Sequence, residues 1–305
     1  MTINFSDFWP GFNPENNFIT SILTKRSVLY KITETVHEAD IVFFSMFGKS
    51  HLNSRGLKIF YSGESTILPE YMFDFCISMN TSRKSNFYYL PHWAVWDEPK
   101  KILEEKLSFE EFKKKKDCCI IIGNPNALDR INFYNCLSKY IQVDSGGSFM
   151  NNVGKVYLLP EKHKFISDYK FIICFENRQL KGYCTEKLFE AMCCNVIPIY
   201  FGDPNVGIYF NENSFVNIQS SRNFDQQAKM VAELLHDENK LKDLWEKSWV
   251  NHINYEEFLT GEKFETFILN AISTNKKQKI GLNLILSKMY YIQGSIKYRM
   301  KKWFI

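Results

Sequence analysis

Residues 175–187 carry charged, amide and hydroxyl side chains between two hydrophobic segments, a pattern that suits the binding of an anionic ligand. The run Phe171–Phe175 before the loop has the length and composition of a buried strand. Thr185 is a good N-cap for a helix over 188–194, and residues 196–202 predict the next strand. In such a strand–helix–strand unit the free N–H groups at the helix N-terminus face the loop, where a phosphate group binds.

Two charged residues at the start of this helix have side chains that could hold a nucleotide. Lys187 places a positive charge where the helix dipole disfavours one, which makes sense beside an anion such as a diphosphate. Glu186 could accept hydrogen bonds from ribose hydroxyls, as acidic residues do in many nucleotide-binding α/β units. The alternative is a solvated helix start, with the ring of Tyr183 packed on the sheet. Residue types alone leave both interpretations open.

The string FEN…GYCTEKLFEAM…NVIPIYFGDPNV, which spans residues 175–206, resembles a family signature. It is similar to the donor-site sequence of the α-1,3/4-fucosyltransferases, glycosyltransferase family 10. The resemblance extends from about Ile3 to about Phe267, most of the chain. The other segments that carry it are Phe5–Asn17, Tyr61–Glu64, Asn124-Pro125, Arg130 and Val143–Gly147.

The resemblance implies a donor site for GDP-fucose. By position in the signature, Arg130 and Lys187 would contact the diphosphate and stabilise the charge that develops on departing GDP. Glu186 would accept from the ribose, and Asn177 and Tyr183 would contact the donor. The nucleotide is expected to bind in the second of two Rossmann-like domains.

Three residues in or beside the donor loop depart from the family pattern. Arg178 replaces a small polar residue, Cys184 replaces a β-branched residue, and Asp203 occupies a small-residue position before Pro204. Changes at these positions can alter donor affinity, and none is expected to abolish the site. Of the three, Asp203 is the least readily explained from the sequence.

Glu64 is the candidate general base that takes a proton from the acceptor sugar. It follows a predicted strand ending at Tyr61 and a flexible Gly63, and it matches the glutamate of the family's Y-x-G-E segment. Transfer from a β-linked nucleotide sugar to an α-fucoside inverts the anomeric carbon, so one in-line displacement with one base is sufficient. Without the resemblance, Glu64 would be interpreted as an ordinary loop glutamate.

The chain contains no D-x-D triplet, the carboxylate pair with which metal-dependent glycosyltransferases hold manganese or magnesium. We therefore expect no metal site and no cofactor besides the donor substrate. The eight cysteines form no C-x-x-C motif and mostly fall in predicted strands or helices. Buried free thiols are expected rather than zinc ligands or disulfides.

Length and composition favour two domains of modest size. The chain has 305 residues, of which 45% are apolar and 24% charged, and single domains usually have about 100–200 residues. Alternating strands and helices predict an α/β fold with two Rossmann-like domains facing across a cleft, and the resemblance implies the same GT-B arrangement. The charged stretch 104–116 sets the predicted boundary. The acceptor domain is then 1–116, the donor domain 117–274 and a tail 275–305.

Hydrophobic patterning also predicts individual elements. Strands are expected at Ile41–Phe44, Leu57–Tyr61 and Phe75–Ser78, and helices at Phe224–His236, Asn239–Ser248 and Tyr255–Ser273. Residues 18–23 and 30–34 are assigned to helical or irregular connections. No internal repeat is apparent.

The last forty residues have a strongly one-sided charge. No acidic residue follows Glu265, whereas eight basic residues do: Lys276, Lys277, Lys279, Lys288, Lys297, Arg299, Lys301 and Lys302. Apolar residues between Leu282 and Met300 recur at helical spacing. A basic amphipathic helix that binds an anionic membrane surface is favoured. The alternatives are a helix packed on the N-terminal domain and, with less support because no recognition motif accompanies the charges, nucleic-acid binding.

No apolar stretch approaches the ~20 residues of a membrane span, and the N-terminus lacks a basic region followed by a hydrophobic one. We expect a cytoplasmic enzyme, peripheral on the inner face of the cytoplasmic membrane. The expected activity is α-1,3-fucosyl transfer from GDP-fucose to the GlcNAc of an N-acetyllactosamine-type oligosaccharide or glycolipid.

Several alternatives stay open. The linkage could be α-1,4 or mixed, the donor could be another nucleotide sugar, and a non-catalytic glycan- or membrane-binding protein could keep the fold. Retention of Glu64, Arg130, Glu186 and Lys187 together argues against the non-catalytic protein. His51, Trp93 and Trp96 are possible acceptor contacts, although an aromatic residue is more often found in a core.

Overall fold

The computed structural model of the chain describes residues 1–66, 68–95, 101–218, 223–274 and 285–291. These residues form two compact units: unit 1 comprises residues 1–90 and 261–305, and unit 2 comprises residues 91–260. Each unit contains its own parallel β-sheet. The α/β fold class predicted from the sequence is confirmed.

The named strands are β1 (Thr2–Ser6), β2 (Lys31–Ile32), β3 (Ile41–Phe44), β4 (Leu57–Ser62), β5 (Phe75–Ser78), β6 (Phe87–Tyr89), β7 (Lys116–Ile120), β8 (Val143–Ser145), β9 (Tyr169–Phe175), β10 (Ile197–Phe201) and β11 (Val216–Asn217). The named helices are α1 (Phe18–Lys25), α2 (Phe109–Phe112), α3 (Leu128–Leu137), α4 (Glu161–Ser167), α5 (Glu186–Cys193), α6 (Phe224–His236), α7 (Glu238–Glu246), α8 (His252–Thr260) and α9 (Glu262–Ile272). Short 3-10 turns lie between several of them.

The sheet of unit 1 has the order β2-β1-β3-β4-β5-β6, and the sheet of unit 2 has the order β11-β10-β9-β7-β8. Every pair of neighbouring strands is parallel. Strands of such sheets are buried on both faces and read as continuous apolar runs. All four residues of β3 are buried, as the apolar run predicts. The carboxyl ends of the strands therefore present loops at one edge of each sheet.

The observed elements follow the predicted pattern with two differences. β3, β5 and α6 have the predicted bounds. The single helix predicted at 255–273 is wrong: Gly261 has φ +66 and separates α8 from α9. A residue in the left-handed region cannot continue a helix, and glycine adopts this conformation without strain. Residues 31–32 pair with β1 as a short edge strand rather than forming a connection.

The division into units differs from the predicted boundary at residue 116. The charged stretch 104–116 is not a linker, because Phe112 stacks on Trp245 with ring centroids 3.9 Å apart. Lys106 Nζ donates to the carbonyl oxygens of Trp245 and Lys247 and lies 3.2 Å from the centroid of the Trp249 ring. Apolar side chains beneath the charged surface thus fix this stretch to unit 2.

α9 belongs to unit 1 although the sequence predicts it in the second domain. Lys25 and Arg26 at the end of α1 pair with Glu265, which is buried. Phe267 packs edge-on against Phe75 at 5.9 Å between ring centroids. The chain therefore returns to the unit in which it began, which hydrophobic periodicity cannot reveal.

Most of the predicted tail lies outside the described residues, and 285–291 is a helix. In this helix Ser287 is buried, and Tyr290 and Tyr291 pack against a core cluster that includes Phe44 and Phe60. Lys49 Nζ lies 5.1 Å from the centroid of the Tyr291 ring. For these seven residues the predicted alternative, packing on the N-terminal unit, is what the structure has.

Candidate functional site

The loop between β9 and α5 has the predicted strand–helix–strand setting. β9 and β10 are parallel neighbours, with Phe175 opposite Phe201 at their carboxyl ends. α5 buries an apolar face that includes Leu188 and Met192, and it ends where Asn195 takes φ +55. Residues 176–185 thus connect the carboxyl end of a central strand to a helix N-terminus.

Thr185 precedes α5 as predicted, but its hydroxyl does not act as a side-chain cap. It donates instead to the carboxylate of Glu176, at 2.7 and 2.9 Å from the two oxygens, while the Thr185 backbone N–H donates to Oε1 at 2.7 Å. The Glu176 side chain is completely shielded from solvent. A buried carboxylate at the end of β9 therefore fixes the beginning of α5.

Lys187 lies in the first turn of α5 and is surrounded by oxygen atoms. Its Nζ donates to Thr185 Oγ1 at 2.7 Å, to Glu176 Oε2 at 3.1 Å and to Glu186 Oε1 at 3.3 Å. Burial alone would lower the pKa of Lys187, but the two carboxylates outweigh it and raise that pKa. An ammonium group has three N–H donors, so each of them has an acceptor in this arrangement.

Glu186 is held from both sides. His92 Nδ1 lies 3.1 Å from Oε2, and Lys187 contacts Oε1. Burial alone would raise the pKa of Glu186, but the hydrogen bond from His92 and the charge of Lys187 together lower it. The carboxylate is therefore ionised at neutral pH and can accept hydrogen bonds from hydroxyl groups. Sequence reasoning did not single out His92, since 94 residues separate it from Glu186.

Arg130 on α3 contacts the end of β9 and the start of the same loop. Its Nε donates to the Phe175 carbonyl oxygen at 3.0 Å, and one terminal nitrogen donates to that oxygen and to Asn177 Oδ1. The other terminal nitrogen makes no hydrogen bond to the described part of the chain. Two N–H groups of a buried guanidinium are thus available to an anion.

Asp203 has a structural role in holding the loop between β9 and α5. Its Oδ1 accepts from the Gly182 N–H and from the Asn205 N–H, both at 2.8 Å. Gly182 has φ +81, so the turn here requires the left-handed conformation that glycine favours. Burial raises the pKa of Asp203, although the two N–H donors oppose this. Asp203, which departs from the family pattern, thus connects the loop at Gly182 with the loop at Asn205.

Tyr183, Cys184 and Arg178 occupy different surroundings. The side chains of Tyr183 and Cys184 are buried, whereas Arg178 is exposed. Tyr183 is thus packed within the folded chain, as in the alternative considered above, and its contact with the donor stays a prediction. Gly202 lies against Glu176, because a Cβ at this position would come within 2.5 Å of Glu176 Cγ. Any side chain at 202 would displace the buried carboxylate.

Glu64 lies in unit 1, immediately after the carboxyl end of β4. Its side chain is exposed, and its backbone N–H and carbonyl oxygen both bond the Ser62 hydroxyl at 3.2 Å. Burial, with a smaller contribution from Glu64, raises the pKa of the neighbouring Tyr61 well above its ordinary value. The strand-tip location predicted for this carboxylate agrees with the structure of the unit.

Family profiles match the chain over almost its whole length. The profile described as "Glycosyltransferase family 10 (fucosyltransferase) C-term" matches residues 111–279, and "Alpha-(1,3)-fucosyltransferase FucT N-terminal domain" matches residues 3–96. The chain belongs to glycosyltransferase family 10. The resemblance on residues 175–206 is therefore confirmed, and the chain is that of a glycosyltransferase.

Individual relatives of this family 10 chain are named as fucosyltransferases. "Alpha-(1,3)-fucosyltransferase FucT" of Helicobacter pylori is 31% identical in an alignment 279 residues long, which covers 75% of this chain and 58% of the relative. "4-galactosyl-N-acetylglucosaminide 3-alpha-L-fucosyltransferase 9" of Homo sapiens is 32% identical over 130 residues, 41% of this chain and 35% of the relative. The family 10 chain thus spans well under two thirds of the length of these proteins.

Solved structures share the fold. Crystal structures of an alpha1,3-fucosyltransferase, alone and with GDP-fucose, are 23% identical in sequence and cover 91% of this chain and 91% of their own. The TM-scores are 0.75 and 0.71. This similarity establishes the GT-B class of α/β fold for the family 10 chain.

His51, Trp93 and Trp96 are predicted as possible acceptor contacts, and the structure describes the first two of them. His51 is buried, with Nδ1 2.6 Å from Asp7 Oδ2. Trp93 is also buried and stacks on Tyr255 with ring centroids 5.2 Å apart, so it is a core residue. Trp96 lies outside the described residues. Neither His51 nor Trp93 offers an open surface to a sugar.

Metal-binding clusters and membrane-crossing helices are both absent from the described ranges. No group of three or more His, Cys, Asp or Glu side chains there is arranged to hold a metal ion. Among the helices of those ranges, none combines the length and hydropathy of a membrane-crossing segment. All eight cysteines are free, as expected from their spacing.

Proposed function

We propose that this family 10 chain is an inverting α-1,3-fucosyltransferase. It moves L-fucose from GDP-β-L-fucose to the GlcNAc of an N-acetyllactosamine-type oligosaccharide or glycolipid. The observation that carries the proposal is the grouping of Arg130, Glu186 and Lys187 around one strand end. The α-1,3-fucosyltransferase activity for which the Helicobacter pylori relative is named supports it.

The donor is held in this proposal by a cation pair and a carboxylate. The open terminal nitrogen of Arg130 and the ammonium of Lys187 bind the diphosphate, and Glu186 accepts from the ribose hydroxyls. Asn177, which orients the Arg130 guanidinium at 3.2 Å, and Tyr183 complete the donor site. Positive charge placed where the leaving group develops negative charge lowers the barrier to transfer.

The reaction is a single displacement. The acceptor oxygen forms a bond to C1 of fucose while the bond from C1 to the β-phosphate oxygen breaks, and its electron pair leaves on GDP. Glu64 takes the proton of the acceptor hydroxyl. The β-linked donor becomes an α-linked product, since attack comes from the face opposite to GDP. No metal ion is required in this scheme, because Arg130 and Lys187 supply the positive charge.

The acceptor class rests on relatives rather than on acceptor contacts. The human relative is named for transfer to the 3-position of a 4-galactosyl-N-acetylglucosaminide, which favours the α-1,3 linkage and the disaccharide acceptor. An α-1,4 or mixed linkage is the second candidate. We further propose that residues beyond 291 bring the enzyme to an anionic membrane surface on the cytoplasmic side, because Lys297, Arg299 and two more lysines lie there.

A donor and acceptor panel tests the activity. The full chain is incubated with GDP-fucose, GDP-mannose, UDP-galactose or UDP-GlcNAc together with type 1 or type 2 disaccharides, with and without EDTA. Product from GDP-fucose and the type 2 disaccharide, unchanged in EDTA, is the expected result. Transfer from another nucleotide sugar would overturn the donor assignment. Loss in EDTA with recovery in manganese would overturn the metal-free scheme, and product only from the type 1 disaccharide would indicate the α-1,4 linkage.

A further inference from the structure

We propose that His92 is a positioning residue that holds Glu186 in place for the ribose of the nucleotide donor. The inference rests on the proposed function, in which Glu186 accepts from the ribose. It adds a residue from the beginning of unit 2 to the donor site. No residue of the 175–206 signature supplies this contact.

The contact is direct and has one chemical sense. His92 Nδ1 lies 3.1 Å from Glu186 Oε2, and each side chain is about one quarter exposed. An ionised carboxylate can only accept, so Nδ1 carries the proton in this hydrogen bond. The bond occupies one lone pair of Oε2 and leaves further lone pairs on the carboxylate for ribose hydroxyls.

The imidazole is mounted on a fixed support. His92 begins a 3-10 turn, and the next residue, Trp93, is completely buried. The Trp93 ring stacks on Tyr255 and packs edge-on against Phe258 at 4.9 Å between centroids. It also stacks on Phe189 of α5, the helix that begins with Glu186. One aromatic cluster therefore holds both the turn that carries His92 and the helix that carries its partner.

Lys187 gives the reason that a second anchor is needed. The three Nζ donors have three acceptors, and the contact with Glu186 is the longest at 3.3 Å. A diphosphate that recruits this ammonium competes first with that longest contact. Glu186 would then lose the hold on Oε1 at the moment when it must bind the ribose. The His92 bond to Oε2 remains and keeps the carboxylate oriented.

The test compares four variants. His92→Phe and His92→Ala remove the N–H that donates to Glu186. The smaller side chain of alanine avoids a steric clash. His92→Asn keeps an N–H close to the Nδ1 position. His163→Ala is the matched control, because His163 contacts Glu190 at 3.4 Å on the surface of the same unit.

For the two variants that lack the donor we expect KM for GDP-fucose to rise about 10-fold or more, since a hydrogen bond to a charged group is lost. We expect kcat and the acceptor KM to stay within about threefold of the wild type, and His92→Asn to restore most of the donor KM. His163→Ala is expected to leave every parameter unchanged. If every kinetic parameter worsened to the same extent and the melting temperature fell as well, His92 would have a merely structural role. That result would overturn the proposal.

A ribose-specific readout completes the test. GDP and 2′,3′-dideoxy-GDP are titrated against each variant, and the ratio of their dissociation constants measures recognition of the ribose hydroxyls. The wild type is expected to prefer GDP, and His92→Ala to lose most of that preference. An unchanged ratio in His92→Ala overturns the role of His92 while leaving the fucosyltransferase assignment intact. Failure of the wild type to bind GDP at all would overturn the proposed function, and this inference with it.

Discussion

Glu176 accepts hydrogen bonds from both the backbone N–H and the hydroxyl of Thr185, each at 2.7 Å to one of its oxygens. Glu176 follows the last residue of β9, and Thr185 precedes the first residue of α5. The same carboxylate receives Lys187 Nζ at 3.1 Å and has no exposed surface. One buried acid thus joins a strand end, a helix start and the cation proposed to hold the diphosphate.

Glu176→Gln is expected to destabilise the protein and weaken GDP binding. An amide cannot accept at both positions, and Lys187 is left without its buried counter-charge. Breaking a buried ion pair costs about 3–5 kcal/mol of folding free energy. Because Lys187 is partly exposed, we expect a loss of about 3 kcal/mol. Denaturant unfolding and GDP titration measure the two effects. Glu233→Gln, in an exposed pair with Lys229, should stay within about 0.5 kcal/mol of the wild type; equal stability of the two variants would contradict the assignment.

Glu64→Ala is expected to lose turnover while binding GDP normally. Removal of one general base typically reduces the rate by about 10²–10⁴-fold, and Glu64 belongs to a different unit from the donor loop. Initial rates with saturating GDP-fucose and a type 2 disaccharide, beside GDP titration, measure both quantities. Glu70→Gln is the control, because Glu70 is an exposed acid of the same unit paired with Lys84. Near-normal turnover in Glu64→Ala would move the base to another residue.

Arg130→Lys is expected to raise KM for GDP-fucose and lower kcat, with about a 10- to 100-fold loss in kcat/KM. Two nitrogens of the Arg130 guanidinium donate to the Phe175 carbonyl oxygen, and the third is available to the diphosphate. A lysine is a single point charge and cannot serve both. Steady-state kinetics measure the loss, which corresponds to one hydrogen bond to a charged group. Arg178→Lys changes an exposed arginine of the same loop and should have wild-type kinetics; equal effects in the two variants would argue against an Arg130 contact.

The strands were the most predictable part of this fold. Parallel strands buried on both faces are continuous apolar runs, so β3 and β5 could be located to the residue. The sequence contains the signal that ends the predicted helix, because Gly261 is a residue type that terminates helices and lies between α8 and α9. The predicted boundary at 116 differs from the structural division after Leu90, because a run of lysines hides Phe112, which packs on Trp245 in unit 2.

The candidate donor site was predictable where its residues are adjacent in sequence and unpredictable where they are not. Glu186 and Lys187 stand at a helix start that the pattern defines. His92 comes from a distant segment, and no periodicity connects it with Glu186. Glu176 was part of the matched signature, yet an acid is exposed by default; its burial depends on Thr185 and Lys187 together, which only the folded chain brings to it.

The stability of the protein is expected to fall as the pH is lowered from about 7.5 to 5. Burial, the largest influence, lowers the pKa of His51 from 6.5; Asp7 opposes this and Lys58 adds to it. With the folded pKa below the unfolded pKa, the unfolded state binds more protons beneath pH 6.5, so acidification favours unfolding. The contribution is therefore present above pH 6.5 and is lost as the pH falls through the folded pKa. Denaturation midpoints across this range measure the slope.

His51→Gln should reduce that slope whatever its effect on absolute stability. His236→Gln changes an exposed histidine on α6 and should keep the wild-type slope. The titration of Asp7 does not interfere in this range, because its pKa is lowered from 3.8. A wild-type slope in His51→Gln would assign the pH dependence to another group.

The tail prediction must respect the helix at 285–291. Ser287 is buried, and Tyr290 and Tyr291 pack against the cluster around Phe44. Deletion of residues 281–305 would therefore open a core and is expected to lower stability and activity together. Deletion of residues 292–305 removes no described contact of unit 1 and is the informative truncation.

The 292–305 deletion is expected to abolish binding to anionic vesicles at low salt while leaving transfer to a soluble disaccharide unchanged. It removes Lys297, Arg299, Lys301 and Lys302, and each basic residue contributes about 1 kcal/mol near an anionic surface. Wild-type binding should fall as salt rises, because charges are screened over about 10 Å at 0.1 M. Replacing the four basic residues by glutamine should weaken binding at constant chain length. Cosedimentation with anionic and with neutral vesicles provides the measurement, and equal binding of the intact and truncated proteins would show that these residues do not bind the membrane.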